Sequence, residues 1–387
     1  MKIIRAPQSY VPLHLVVPML EYLPPKSLFK FCFLSKTFSS IIQQESFLSN
    51  YVITRNSITP KHDDTNPNVL YHFTLSSHRT RLALYRDGIE SPCAVYDLRF
   101  GQKRNTSVLF CNGVVCFVGF HHYICLWNPL VNRSTKVTLE PSFGTVTLLV
   151  GFGYDSSTSH FKFVRVFIDN SFELPQVFAW VYEVNAVGIS RWRDFKIRPP
   201  SRVIQSYYYN QFSSVYVNGA LHWLVKTRHN NGRTFSYYIL SFNLEDHKFR
   251  ELPLPSQVHG FFTSKIIFDP KLTEFNGMLC VCARTCEFYW CFHMWVMKVY
   301  GQQNSWIPLV DISVPVPNGS FRLMDLKDNN GEEFWFRDED GDLLCVFNKR
   351  TRKIKKCTKI TPPHAWFRGT YVHSIAFMKC NKKPFVW

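Results

Sequence analysis

The sequence predicts a mainly β protein with a small α module: three helices within residues 1–52, then a β-propeller-like domain of about six blades. Three observations predict it. The stretch from Val11 to Ile42 is crowded with apolar side chains at helical spacing. Beyond residue 100 a short motif recurs with a period near 50. The longest apolar run, Phe288 to Val299, is broken by His293 and Lys298 and falls short of the ~18 residues of a membrane span.

The helical stretch comes first. Eighteen of the 32 residues from Val11 to Ile42 are apolar or aromatic, and only Glu21, Lys26, Lys30 and Lys36 are charged. Leu13, Val16, Val17 and Leu20 line one face of a first helix, and Leu15, Met19 and Tyr22 a second. Pro24-Pro25 breaks the run and suits the first turn of a new helix. There Leu28, Phe31, Cys32 and Ser35 share a face while Phe29 and Phe33 point elsewhere; a third short helix carries Phe38, Ile41 and Ile42. Pro18 sits badly, because a mid-helix proline costs roughly 3 kcal/mol, so the first helix is expected to start late or to kink. Helices apolar on all sides must be covered on all sides, and some 40 residues cannot do that alone. The cover comes from the rest of the chain or from a partner.

This segment resembles an F-box. The matching positions are Pro12, Leu15, Val16, Leu20, Leu23-Pro24, Lys26-Ser27-Leu28, Phe31, Ser35-Lys36, Phe38, Ile41-Ile42 and Phe47; Val11, His14 and Pro18 depart from the pattern. The resemblance implies a three-helix module that docks on a Skp-type adaptor. Through the adaptor it would reach the cullin and RING protein of a ubiquitin ligase. It assigns Pro12, Leu15, Leu20, Leu23, Pro24, Leu28, Phe31 and Phe38 to the adaptor interface or just beneath it. The plainer alternative is a helical hairpin packed on its own domain.

After a linker over residues 53–69, the domain from 70 to 387 repeats. Asn-Gly followed by an apolar run occurs at Asn112-Gly113, Asn218-Gly219, Asn276-Gly277 and Asn330-Gly331, with the glycines 106, 58 and 54 residues apart. The wide first gap holds another unit, Gly151-Phe-Gly-Tyr-Asp and then Phe161-Lys-Phe-Val-Arg-Val. Asn-Gly makes tight turns because both residues tolerate positive φ. A second strand pattern follows each turn, as in Ile124-Cys-Leu-Trp-Asn-Pro and Ile239-Leu-Ser-Phe-Asn-Leu. Several short strands per period of about 50 suit a propeller. Tyr71–Tyr85 and Tyr371–Met378 are expected to share the blade that closes the ring.

This region is similar to the plant F-box-associated interaction domain, a kelch-like region. The similarity rests on Cys111-Asn-Gly-Val-Val-Cys, Leu126-Trp-Asn-Pro-Leu-Val-Asn-Arg, Gly151-Phe-Gly-Tyr-Asp, Val217-Asn-Gly-Ala-Leu-His-Trp, Ile239-Leu-Ser-Phe-Asn-Leu-Glu and Trp295-Val-Met-Lys-Val-Tyr-Gly-Gln-Gln-Asn-Ser-Trp. It implies a non-catalytic substrate receptor, with the helical module holding the ligase and the propeller holding a protein target.

No P-loop, H-E-x-x-H or G-x-S-x-G is present, and Gly151-Phe-Gly lacks the later glycine of a dinucleotide site. Cys280, Cys282, Cys286 and Cys291 with His293 contain no C-x-x-C and read as core; His121-His122 reads as an exposed turn. Trp127, Trp223, Trp295 and Trp335 recur at repeat positions and read as packing between blades. No metal and no cofactor is implied. The formal net charge of +17 is concentrated late: Lys349–Lys359 holds seven Lys or Arg in eleven residues. The plainer reading of this run is the solvated face of a β-hairpin in the last blade; a nuclear import signal and contact with an acidic partner are the alternatives. Nucleic acid is the weaker candidate partner, because charge is its only support, and a membrane partner is not indicated. The chain is expected in the cytoplasm, the nucleus or both. Two other readings stay open: a propeller enzyme or glycan binder, and a basic nucleic-acid-associated protein. For target contact the sequence offers Tyr207, Tyr208 and Tyr209, three amphipathic aromatics ahead of the strand from Ser214 to Leu224; the plainer alternative is strand residues covering a blade edge.

Overall fold

The computed structural model describes residues 12–57, 68–74, 80–85, 92–98, 107–119, 123–138, 145–172, 176–185, 190–197, 214–229, 234–255, 267–286, 290–313, 321–326, 333–338, 343–348, 350–351, 353–359, 366–371 and 374–376. Four helices lead: α1 (Leu13–Leu20), α2 (Pro25–Leu34), α3 (Lys36–Ile42) and α4 (Glu45–Ser57). The expected three-helix module is therefore short by one. Phe47, Leu48 and Tyr51 give α4 a buried face, and this helix runs past residue 52 into the segment read as a linker. Pro24 caps α2 with Pro25 at its first position, and the Ser35 hydroxyl accepts the Phe38 amide at the start of α3 (3.5 Å). α1 starts at Leu13 and stays helical through Pro18.

The rest is strand: β1 (Asn68–Thr74), β2 (Thr80–Tyr85) and β3 (Pro92–Leu98); β4 (Ser107–Cys111), β5 (Val114–Gly119), β6 (Tyr123–Asn128) and β7 (Arg133–Thr138); β8 (Thr145–Asp155), β9 (His160–Asp169), β10 (Gln176–Asn185) and β11 (Ser190–Ile197). Then come β12 (Val215–Val217), β13 (Ala220–His229), β14 (Thr234–Asn243) and β15 (Phe249–Leu252); β16 (Ile267–Phe275), β17 (Met278–Cys286), β18 (Trp290–Met297) and β19 (Trp306–Ser313). The last are β20 (Phe321–Leu326), β21 (Glu333–Asp338), β22 (Leu343–Asn348), β23 (Lys353–Lys359) and β24 (Trp366–Tyr371). Among the described residues these strands make six four-stranded antiparallel sheets, five of them consecutive in sequence. The sixth has the order β24-β1-β2-β3, so a late strand completes the earliest sheet. β24 also contacts β4 and β20, and β8 contacts β4 and β12, so the first strands of neighbouring sheets meet side by side.

Asn112, Asn218 and Asn276 have φ of 46°, 51° and 49°, and the glycines after them 74°, 73° and 76°. These are tight turns, each between the first and second strand of its sheet. Asn330-Gly331 lies outside the described residues. Antiparallel order then defines two rims. Turns between strands one and two, and between three and four, lie on one, the turn rim. The links between strands two and three, and the exits to the next sheet, lie on the other.

Adjacent sheets share cores. Leu109, Ile124 and Leu126 pack with Val150, Phe152 and Phe163; Val164 and Val166 pack with Leu221, Trp223 and Phe242. Gly151 and Gly153 allow the second contact. A Cβ on Gly151 would lie 2.6 Å from Leu221 Cδ1, and one on Gly153 2.5 Å from the Tyr216 ring. Trp223 Nε1 donates to Val150 O (2.9 Å) and Trp306 Nε1 to Pro253 O (2.9 Å), each across two sheets. A buried ionic cluster joins the same two sheets as Trp223. Lys162 Nζ is 2.7 Å from Asp155 Oδ2 and 3.2 Å from Glu183 Oε1, and it donates to Leu244 O at 2.7 Å. It also lies 2.9 Å from His247 Nε2.

Candidate functional site

The helical module has two apolar surfaces. The inner one is built from Leu20, Leu28, Ile42, Phe47, Leu48 and Tyr51, all buried, with Val131 from the β6–β7 turn and Ile375. Tyr51 Oη donates to Leu23 O (2.7 Å), tying α4 to the end of α1. Asn128, wholly buried, holds the receiving surface in shape. Its amide donates to Ser374 O (2.9 Å) and Ala376 O (2.7 Å), and its carbonyl accepts from Leu130 N (3.0 Å). Asn185 Nδ2 donates to Glu45 Oε1 (2.7 Å), a second tie from the sheets to α4. Val131 lies in the β6–β7 turn and Asn185 ends β10, the third strand of its sheet, so the module sits on the turn rim.

The outer surface faces solvent. Leu15 is 54% exposed, Met19 67%, Tyr22 66%, Phe33 75% and Leu34 77%. Leu15 and Met19 are the second face of α1, Tyr22 follows in the turn after it, and Phe33 and Leu34 close α2. Phe33 stands edge-on to Phe29, ring centres 5.0 Å apart. Withdrawing such side chains from water is worth roughly 1.5–3 kcal/mol for each one fully covered.

The sequence-predicted interface residues divide between these surfaces. Pro12 and Leu15 are exposed; Leu23, Pro24, Phe31 and Phe38 are half-buried; Leu20 and Leu28 are buried in the joint core. These last two hold the module to the sheets and offer a partner no surface. Met19, Tyr22, Phe33 and Leu34 were not assigned, although the helical spacing of Leu15, Met19 and Tyr22 already marked that face. Of the two sources of cover weighed from sequence, the rest of the chain supplies the inner one, while the outer face stays exposed.

Elsewhere the predicted positions settle as follows. Cys280 and Cys282 are buried, and burial pushes the Cys280 thiol well above its ordinary range. Among the described residues no three His, Cys, Asp or Glu side chains are grouped as metal ligands would be. Trp127, Trp223 and Trp295 are buried in the sheets. Tyr207, Tyr208, Tyr209, His121 and His122 lie outside the described residues. A histidine the sequence did not single out, His222, is wholly buried. Its Nδ1 donates to Val215 O (3.2 Å) and its Nε2 accepts from Tyr300 Oη (2.8 Å). Burial lowers its pKa to about 4.

Comparison with known proteins matches two family descriptions, an F-box domain over residues 12–50 and an F-box associated beta propeller domain over residues 69–386. An F-box/kelch-repeat protein of Arabidopsis thaliana is 24% identical, over 78% of this chain and 79% of that protein. A second Arabidopsis F-box protein is 24% identical over 84% and 76%, and the Arabidopsis F-box protein CPR1 23% identical over 81% and 76%. Among solved structures, the Cps50 (Swd1) beta-propeller domain aligns with a TM-score of 0.37 at 10% identity, covering 79% of this chain and 89% of that one.

Proposed function

This chain belongs to the F-box associated beta propeller family and carries an F-box ahead of that domain, and from this we propose that it is the substrate receptor of an SCF-type ubiquitin ligase. The observation that carries the reading is the outer surface of the helices. Leu15, Met19, Tyr22, Phe33 and Leu34 stay in water while the opposite side of the same helices is sealed against the sheets. A module with packing left over on one side is built for a partner. A Skp-type adaptor, and through it a cullin and RING protein, supplies that cover. The six sheets form the blades of one ring and take a protein target, acidic where it meets this basic chain. The chain is then non-catalytic. It raises the local concentration of target at the recruited enzyme, which does the chemistry. It works in the cytoplasm, the nucleus or both, with Lys349–Lys359 a nuclear signal to be tested by deletion in a fluorescent fusion.

The experiment uses the full chain, because removing residues 1–52 would bare Val131 and Ile375. Met19→Arg and Phe33→Arg place a charge on each exposed face without touching the inner core. Each is expected to abolish capture of a Skp adaptor at unchanged melting temperature. Capture of the adaptor at wild-type affinity by both variants defeats the reading. Replacing Leu23-Pro24 by Ala-Ala tests the half-buried edge in the same assay. Pro18→Glu asks whether that proline weakens capture, which then rises. For the target side, Tyr207→Ala, Tyr208→Ala and Tyr209→Ala are scored singly for target capture against melting temperature.

A further inference from the structure

β9 carries two buried cations, on opposite faces and in opposite circumstances. Lys162 is surrounded by two carboxylates and a carbonyl. Arg165, 3% exposed, faces no acid in any ion pair of the described residues. Its Nε donates to Thr147 Oγ1 (2.8 Å), its Nη2 reaches Thr145 Oγ1 at 3.4 Å, and its Nη1 is buried with no hydrogen-bond acceptor. A desolvated guanidinium without a counter-charge is costly, and an unsatisfied donor adds to the cost.

Its place in the fold gives that cost a use. Cys111, the last residue of β4, lies beside the Tyr154 backbone near the end of β8. β4 has five residues and β8 eleven, so among the described residues the Thr145 end of β8 extends about five residues, on the order of 16 Å, beyond β4. This projecting end belongs to the rim opposite the helical module. Beside Arg165 on the same face runs an aromatic row. The guanidinium lies 5.1 Å from the Phe167 ring centre, Phe167 lies 5.9 Å from Phe178, and Phe178 lies 6.0 Å from Phe172, which is 46% exposed. The row leads from solvent to the unpaired charge.

We propose that Arg165, with Thr145, Thr147 and the Phe172–Phe178–Phe167 row, is a recognition site for a carboxylate side chain on an extended segment of the target protein. The segment lays an apolar neighbour on Phe172 and Phe178 and delivers its carboxylate to Nη1. The two threonines are themselves partly exposed, so an arriving carboxylate displaces their hydroxyls and completes a charge-assisted pair. A single cation is balanced by one negative charge; a phosphate dianion would leave a second one uncompensated beside phenylalanines. The net charge of +17 draws acidic segments toward the chain as a whole. The proposal rests on the receptor reading and adds the chemistry by which the target is chosen.

The test follows the melting temperature of the full chain at matched ionic strength, with N-acetylglutamate, N-acetylglutamine or inorganic phosphate as probe. N-acetylglutamate near saturation is expected to raise it by about 2 °C, N-acetylglutamine and phosphate by nothing, and Arg165→Met is expected to erase the response. Arg165→Met is also expected to melt no lower than wild type, since the replaced charge had no counter-charge and methionine keeps the contact with Phe167. Selection from a random-peptide library should enrich Asp or Glu beside an aromatic or aliphatic residue. Arg165→Met and Phe172→Ala should each lower affinity for the selected peptide at least tenfold. Should Arg165→Met not fold, Arg165→Lys keeps the charge without the planar fork and is expected to lose most of the response. An equal response to N-acetylglutamine or phosphate, a response that survives in the Arg165 variants, or peptides without acidic residues overturns the site. Adaptor capture by the same variants, expected unchanged, reports separately on the receptor reading.

Discussion

On the helices Leu15, Met19, Tyr22, Phe33 and Leu34 stand in water, whereas the sheets bury even Lys162, Asp155 and Glu183. The two regions solve opposite problems. Four short helices have too little volume to enclose their own apolar surface, so one side borrows Val131 and Ile375 and the other is left for a partner. The sheets enclose so much that ionic groups must pair inside. Burial pushes Asp155 up, but hydrogen bonds from Lys162, Ser157 and Thr158 outweigh it and hold the carboxyl below its ordinary value. A surplus of exposed apolar surface and a surplus of enclosed charge are thus the marks of a docking module and of a self-sufficient scaffold.

The contrast breaks most sharply at Lys162. Lys162→Met leaves Asp155 and Glu183 buried without their cation, and unfolding by urea should show a loss of about 3–5 kcal/mol. The joint core comes next. Leu28→Ala should cost about 3 kcal/mol, read by the same measurement, and should loosen the module from the turn rim, read as faster amide exchange in α2. A third effect depends on pH. His222 is neutral when folded, with a pKa near 4, while the unfolded side chain titrates near 6.5. A base whose folded pKa is depressed contributes full stability above the unfolded value, and that stability falls as pH drops toward the folded one. Between pH 8 and pH 5 the loss at this site is roughly 2 kcal/mol, and a His222→Gln variant should show a flatter profile over that range. The smallest effect is on the outer helices. Met19→Ala and Phe33→Ala should each shift stability by no more than about 0.5 kcal/mol while reducing adaptor capture at least tenfold.

The sequence made the repeats legible because Asn-Gly marks a conformation few other pairs adopt, and Asn112, Asn218 and Asn276 all take it. Gly151-Phe-Gly was recognisable as a motif but not explicable. Its reason is the closeness of Leu221 and Tyr216, which belong to another sheet some 60 residues on and are invisible to local pattern. The fourth helix was missed because Phe47, Leu48 and Tyr51 give too short an apolar pattern to stand out before their partners on the sheets are known. For the same reason the sequence could place Leu20 and Leu28 only at or just beneath an adaptor interface, whereas packing puts them in the core shared with the sheets. Periodicity finds a helical face, but only tertiary packing says which face is already occupied. Arg165 had no signal at all. Phe161-Lys-Phe-Val-Arg-Val reads as an ordinary strand, and only the fold shows that one of its cations is paired and the other is not.

Asn128 and Ser374 are joined by a hydrogen bond across 246 residues, and the same late stretch of chain supplies β24 and Ile375. At roughly 5–20 residues per second, the ribosome needs about 12–50 s to travel from one to the other. Throughout that interval α1 to α4 are finished but have no seat, and the first sheet lacks its fourth strand. Synthesis therefore sets an order of competence. A chain interrupted before residue 376 presents loose helices and an open sheet edge, both ready substrates for chaperones and proteases, and only a chain read through that point seats the helices on the sheets.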